Sequence, residues 1–192
     1  MGFLDAIRGK TKPAQAKLDA LFRLPSASLT LFASDEYELS PVAGVCMSPS
    51  AADTFDSAFG ETLKLIQDSN IQQKPEIKND SYGYRWVTFS GTEIDDLVTR
   101  AHMINSTIES AGWGPQLLCS VFKFNVKSSI NTESKVLYLI YLFKRGTFYP
   151  FFPLENEKRD NQAELHLKAI LAGDLPIEED LTRWFPIWEM PL

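Results

Sequence analysis

The stretch Gln116-Leu117-Leu118-Cys119-Ser120-Val121-Phe122-Lys123-Phe124-Asn125-Val126, with the two apolar runs C-terminal to it, decides the fold class. After a polar loop at 127–134 comes Lys135-Val136-Leu137-Tyr138-Leu139-Ile140-Tyr141-Leu142-Phe143. Lys144-Arg145-Gly146 then turns the chain into Thr147-Phe148-Tyr149-Pro150-Phe151-Phe152. Three consecutive runs rich in β-branched and aromatic residues, joined by short connections, predict adjacent antiparallel strands. Pro150 and Pro153 cannot donate to a ladder, so the third run belongs at a sheet edge.

Toward the N-terminus, 82–90 reads as a further strand, 42–48 as another, and 75–78 as a short one. Between them and the first run, Thr92 with Asp95 predicts a capped helix whose buried face is Ile94, Leu97, Val98, Ala101, Ile104 and Ile108. Gly112 is placed to end it. Ser50 and Asp53 predict a helix over 51–67, and Asp160 caps one that runs to Leu171. Pro13 opens a helix carrying Leu18, Leu21 and Phe22; Pro25 closes it, and 28–33 alternates as a strand. Pro176 starts a last helical turn with Leu181, Trp184 and Phe185. Runs of strands broken by helices predict an α+β fold. Its expected form is a mostly antiparallel sheet of about five to seven strands, with about three or four helices packed mainly on one face. A single domain over 13–192 with a short tail at 1–12 is expected, since no Pro/Gly/Ser linker divides the 192 residues.

Composition excludes several function classes. A formal net charge of −6, a pI near 5.0 and scattered basic residues give nucleic acid no electrostatic footprint. Two cysteines, Cys46 and Cys119, lie inside apolar runs and suit a reducing, cytoplasmic setting. Residues 1–11 hold no apolar core of a leader, and no apolar run approaches the ~20 residues of a membrane span. His102 and His166, the only histidines, show no spacing that seeds a metal site with those cysteines, so neither metal nor cofactor is expected. Neither a nucleophile elbow nor a phosphate-cradling glycine loop is present, and no catalytic residue is assigned.

Three surfaces remain as candidates. Phe3 and Ile7, flanked by Arg8, Lys10 and Lys12, form a short amphipathic basic segment able to touch a partner or the inner membrane face. Lys144 and Arg145 beside Phe148 and Tyr149 form a cationic and aromatic hairpin, whose edge position leaves one alternating pair of its aromatics available to a partner. Tyr84, Arg85, His102 and Asn105 are the polar residues that would line a pocket between sheet and helix, giving a small-ligand site or an enzyme. A secretion-chaperone-like module, cradling a peptide on an open sheet face, is a further alternative. The closing segment Trp184-Phe185-Pro186-Ile187-Trp188-Glu189-Met190-Pro191-Leu192 is expected to fold back on the domain.

Several segments in order carry a family resemblance. They include Met1-Gly2-Phe3-Leu4-Asp5, Leu18-Asp19-Ala20-Leu21-Phe22, Asp80-Ser81-Tyr82-Gly83-Tyr84-Arg85-Trp86 and Gly114-Pro115-Gln116-Leu117-Leu118-Cys119. Ala172-Gly173-Asp174-Leu175-Pro176 and the closing 184–192 complete them. The chain resembles the PspAB family of PspA-associated proteins. That resemblance implies a non-enzymatic accessory protein of the phage-shock, envelope-stress response, with a PspA-like membrane-remodelling protein as partner. It transfers no functional residue.

Overall fold

The computed structural model describes residues 18–48, 74–127 and 132–192, together with Gly60, Glu61 and Lys64. Most of the helix expected over 51–67 lies outside the described residues; Gly60, Glu61 and Lys64 are helical.

Leu18–Arg23 forms a 3-10 segment that passes directly into helix α1, Leu24–Ala33. Pro25 therefore opens a helix instead of closing one, and the strand expected over 28–33 is helical. The reason is visible in the packing: Leu24, Ala27, Ser28 and Leu31 are buried, a spacing of three and four. Pro25 sits in the first turn, where its missing N–H costs nothing. Its carbonyl accepts the Ser28 hydroxyl at 2.7 Å.

Strand β1, Tyr37–Met47, comes next, with β2 at Glu76–Asn79 and β3 at Arg85–Ser90. Residues 80–84 form a turn held by Asp80 in place of the start of the expected strand, and Gly83 takes φ +84° there. Helix α2, Ile94–Ile108, buries all six predicted apolar positions. Its cap position falls on Glu93, with no side-chain capping bond, and not on Thr92. Gly112 takes φ +90°, the left-handed conformation predicted for it. Strands β4 (Leu117–Val126), β5 (Val136–Leu142) and β6 (Thr147–Phe151) are consecutive antiparallel neighbours. A small ribbon, β7 (Pro153–Leu154) with β8 (Lys158–Arg159), leads into α3, Asn161–Leu171, where Asp160 accepts the Ala163 N–H at 3.0 Å. A 3-10 turn at Leu181–Arg183 replaces the helical turn expected from Pro176.

Among the described residues, the main sheet has six strands in the order β2-β3-β1-β4-β5-β6, every pair antiparallel. The α+β class and the sheet size agree with expectation. β1 accommodates Pro41 by a bulge between Leu39 and Ala43, and the Pro41 carbonyl accepts the Gly91 N–H at 3.0 Å. The helices gather on one face, α2 across β1, β3 and β4, α1 against α2, and α3 against β6. Pairing partners reveal the two faces. Ser120, Phe122, Phe124, Leu139 and Tyr141 point toward the helices; Cys119, Val121, Lys123, Tyr138 and Ile140 point away.

That second face is covered by the closing segment folding back. Trp184 stacks on Tyr149 at 5.9 Å, and Trp188 meets Phe151 edge-on at 5.1 Å. Lys123 donates to the Leu192 carbonyl at 3.1 Å. A Cβ on Gly44 would sit 3.0 Å from Leu192 Cδ2 and 3.3 Å from the Trp86 ring, so glycine is what lets this cover approach.

β6 is the edge strand that its prolines predict, and half of that edge is itself paired. Phe148 donates to the Pro176 carbonyl and accepts from the Glu178 N–H, both at 2.8 Å. The Glu178 side chain, 2% exposed, then takes Arg145 and Thr147 as donors. Burial pushes its carboxyl up, but the bonds from Arg145, the Asp180 N–H and Thr147 outweigh burial and hold it below the ordinary range. A carboxyl depressed in the fold stabilises it above the unfolded pKa and stops doing so as pH falls through the folded one. Stability should therefore hold near neutrality and decline below about pH 4. In thermal melts across this range, Glu178→Gln should lower Tm at pH 7 and reduce the loss on acidification.

Candidate functional site

The hairpin residues are held within the fold. Lys144 donates to the Pro115 carbonyl at 2.8 Å, and Arg145 pairs with Glu178. Phe148 is fully buried against Tyr141, 5.1 Å between ring centres, and Tyr149 is 1% exposed. Phe151 and Phe152 are buried as well. The expectation that one pair of hairpin aromatics stays available fails because both sheet faces are covered, one by helices and one by 184–192. Phe3 and Ile7 lie outside the described residues.

The four pocket candidates do not converge. Asn105 is fully buried under α2, donating to the Ala101 carbonyl and to Ser120 Oγ, both at 2.8 Å. His102 turns elsewhere on the same helix and packs its ring 4.9 Å from that of Phe22. Tyr84 belongs to the opposite side of the sheet, in the Asp80 turn, and Arg85 is the first residue of β3. The cysteines share that far face, while His166 is exposed on α3. Among the described residues, no three His, Cys, Asp or Glu side chains come together as metal ligands. No helix of the described residues is long and apolar enough to cross a membrane.

A cavity of about 580 Å³ exists instead between the far sheet face and its cover. Its floor is Cys46, Cys119, Leu142 and Tyr149; the Asp80 turn supplies one wall through Tyr82 and Tyr84, and residues 185–188 supply the other. The first wall is built on Asp80. One carboxylate oxygen accepts the N–H groups of Tyr82 and Tyr84 at 3.0 and 2.9 Å, and the other accepts the Trp86 indole at 2.9 Å. Gly83 completes the turn by donating to the Asp80 carbonyl at 3.2 Å. Tyr82 donates to Glu157 at 3.4 Å, and Ser81 to Glu189. Local desolvation and the negative charges of Glu157, Glu189 and Asp80 raise the Tyr82 phenol above its ordinary range. Tyr149 donates to the Phe185 carbonyl at 2.8 Å, fixing the opposite wall.

Cys46 and Cys119 face each other in register on β1 and β4. The contact between the two thiols and their burial push the Cys46 thiol up, so it stays protonated and offers no thiolate nucleophile. Chemically, the site is a lined receptacle with fixed carboxylates at its rim. Sequence reasoning named Tyr84 but missed the cavity, because its second wall comes from residues about a hundred positions away. The legible signal was the D-S-Y-G-Y turn.

Asn105 is a structural polar group under this geometry. Asn105→Ala should strand the buried Ser120 hydroxyl and cost about 1–3 kcal/mol in denaturant unfolding. A solvent-facing pocket residue would change stability by only about 0.5 kcal/mol.

A family model described as PspAB, PspA associated protein B, matches residues 1–192, and the chain belongs to that family. No curated protein and no solved structure matches it.

Proposed function

We propose that this member of the PspA-associated protein B family is a non-enzymatic accessory protein that binds a PspA-like membrane-stress protein at the cytoplasmic membrane face. The observation that carries this reading is the family match along the whole chain.

Burial of Phe148 and Tyr149 moves the proposed contact away from the hairpin aromatics. The segments Leu18–Arg23 and Leu24–Ala33 leave Phe22 49% and Leu29 68% exposed, and in the sequence they lie C-terminal to Phe3 and Ile7. Apolar side chains left in water at this end suit a helical partner, which buries them in i, i+3, i+4 fashion. Lys144 and Arg145 at the β5–β6 turn are retained as flanking charged contacts. Phe3 and Ile7, with Arg8, Lys10 and Lys12, also provide the proposed touch on an anionic membrane surface.

Immobilised full-length chain should capture a purified PspA-like protein. Leu29→Glu, and separately removal of residues 1–12, should each weaken capture by about tenfold or more with little change in Tm. Lys144→Ala should have a smaller effect that fades at high salt. Capture unchanged in all three variants would place the contact elsewhere, and no capture by the parent chain would remove the reading.

A further inference from the structure

The cavity beneath residues 185–188 plays no part in the proposed partner contact, and its chemistry is specific. Its walls are aromatic: Tyr82 and Tyr84 on one side, Phe185 and Trp188 on the other, Tyr149 below. Tyr82, Tyr84 and Phe185 are 55%, 39% and 60% exposed, so rings stand at the mouth with the cavity directly under them. None of the residues lining it carries a positive charge.

Three carboxylates gather around the Tyr82 end: Asp80 in the wall, Glu157 on the Tyr82 hydroxyl and Glu189 on Ser81. No salt bridge among the described residues involves any of them, although other acidic groups of the fold find basic partners. Their hydrogen bonds come from hydroxyl, amide and indole donors, which orient the carboxylates without neutralising them.

We propose that this cavity binds an organic cation: a quaternary or protonated amine carrying an apolar group, seated in the aromatic cage with its charge toward Glu157 and Glu189. Ring faces attract a cation through their quadrupoles, and ammonium groups that hold their own water weakly gain most from such a cage. A neutral ligand of the same shape would forgo both the ring attraction and the carboxylate field. An anion would meet a rim of its own sign. The volume, about 580 Å³, admits a group the size of a substituted benzene with room for an alkylammonium head.

Benzyltrimethylammonium is the probe, set against benzyl alcohol and phenylacetate, with heat of binding and tryptophan fluorescence as readouts. The cation should bind at least about tenfold tighter than the alcohol, weakening with salt, and phenylacetate should show no saturable binding. Glu157→Gln and Tyr84→Leu alter exposed side chains and should leave the fold intact. Each should weaken the cation by about fivefold or more, and Glu157→Gln should leave the alcohol unchanged. Equal affinity for cation and alcohol, saturable phenylacetate binding, or a Glu157→Gln protein that binds the cation as well as the parent would overturn the proposal. These outcomes are independent of PspA capture, which the same variants should leave untouched.

Discussion

An antiparallel sheet that is apolar on both faces must be covered twice, and this requirement organises the molecule. On one side the cover is generous: among the described residues, α1, α2 and α3 form a helical layer on the face of Phe122, Phe124, Leu139 and Tyr141. On the other it is a single extended segment, residues 184–192, laid over Gly44, Trp86, Lys123, Tyr149 and Phe151. Removing a large aromatic side chain from water contributes roughly 1.5–3 kcal/mol. One strand's width of chain, however, cannot fill the area under it as a helix layer can. The cavity lies where this thin cover and the Asp80 turn meet over the paired cysteines.

Two buried carboxylates hold the cover in place. Glu178 joins the β5–β6 turn to the segment that pairs with Phe148, and its backbone carbonyl accepts the Trp184 indole at 2.9 Å. Glu164, 1% exposed, receives Arg159 and the Phe152 N–H, while Arg159 also donates to the Trp184 carbonyl. Burial raises the Glu164 carboxyl despite Arg159, so this pair adds geometric definition more than net stability. Both ion pairs fix where Trp184 enters the far face. Beyond it, Tyr149 on the Phe185 carbonyl, Phe151 against Trp188 and Lys123 on the Leu192 carbonyl hold the rest of the segment.

The sheet was legible in the sequence because β4, β5 and β6 are long, consecutive and rich in β-branched and aromatic residues, and because Gly112 and Gly146 stand where the chain needs positive φ. The helix α2 was legible from its apolar spacing. What misled was 18–33, where Pro25 reads equally as a stop or a start; only the burial of Leu24, Ala27 and Leu31 decides between them. The aromatic hairpin misled for another reason. Alternation along a strand tells which side a ring takes, but not whether that side is later covered by distant chain. The same nonlocality hid the cavity, since Tyr82 and Trp188 meet only after the sheet has formed.

β1 sits between β3 and β4, although it precedes both in the chain. The β4-β5-β6 meander and the β2–β3 pair can each close through short connections, whereas Cys46 must find Cys119 across a wide loop. Such long closures slow folding. β1 covers the inner ladder edges of both β3 and β4, the kind of edge on which foreign strands pair when it is bare. The Pro41 bulge interrupts regular pairing along one half of β1, and a second irregularity follows Cys46, leaving Ala43, Gly44, Val45 and Cys46 as the stretch in unbroken register with both neighbours. In the folded sheet β1 is therefore the strand whose removal would bare two ladder edges at once.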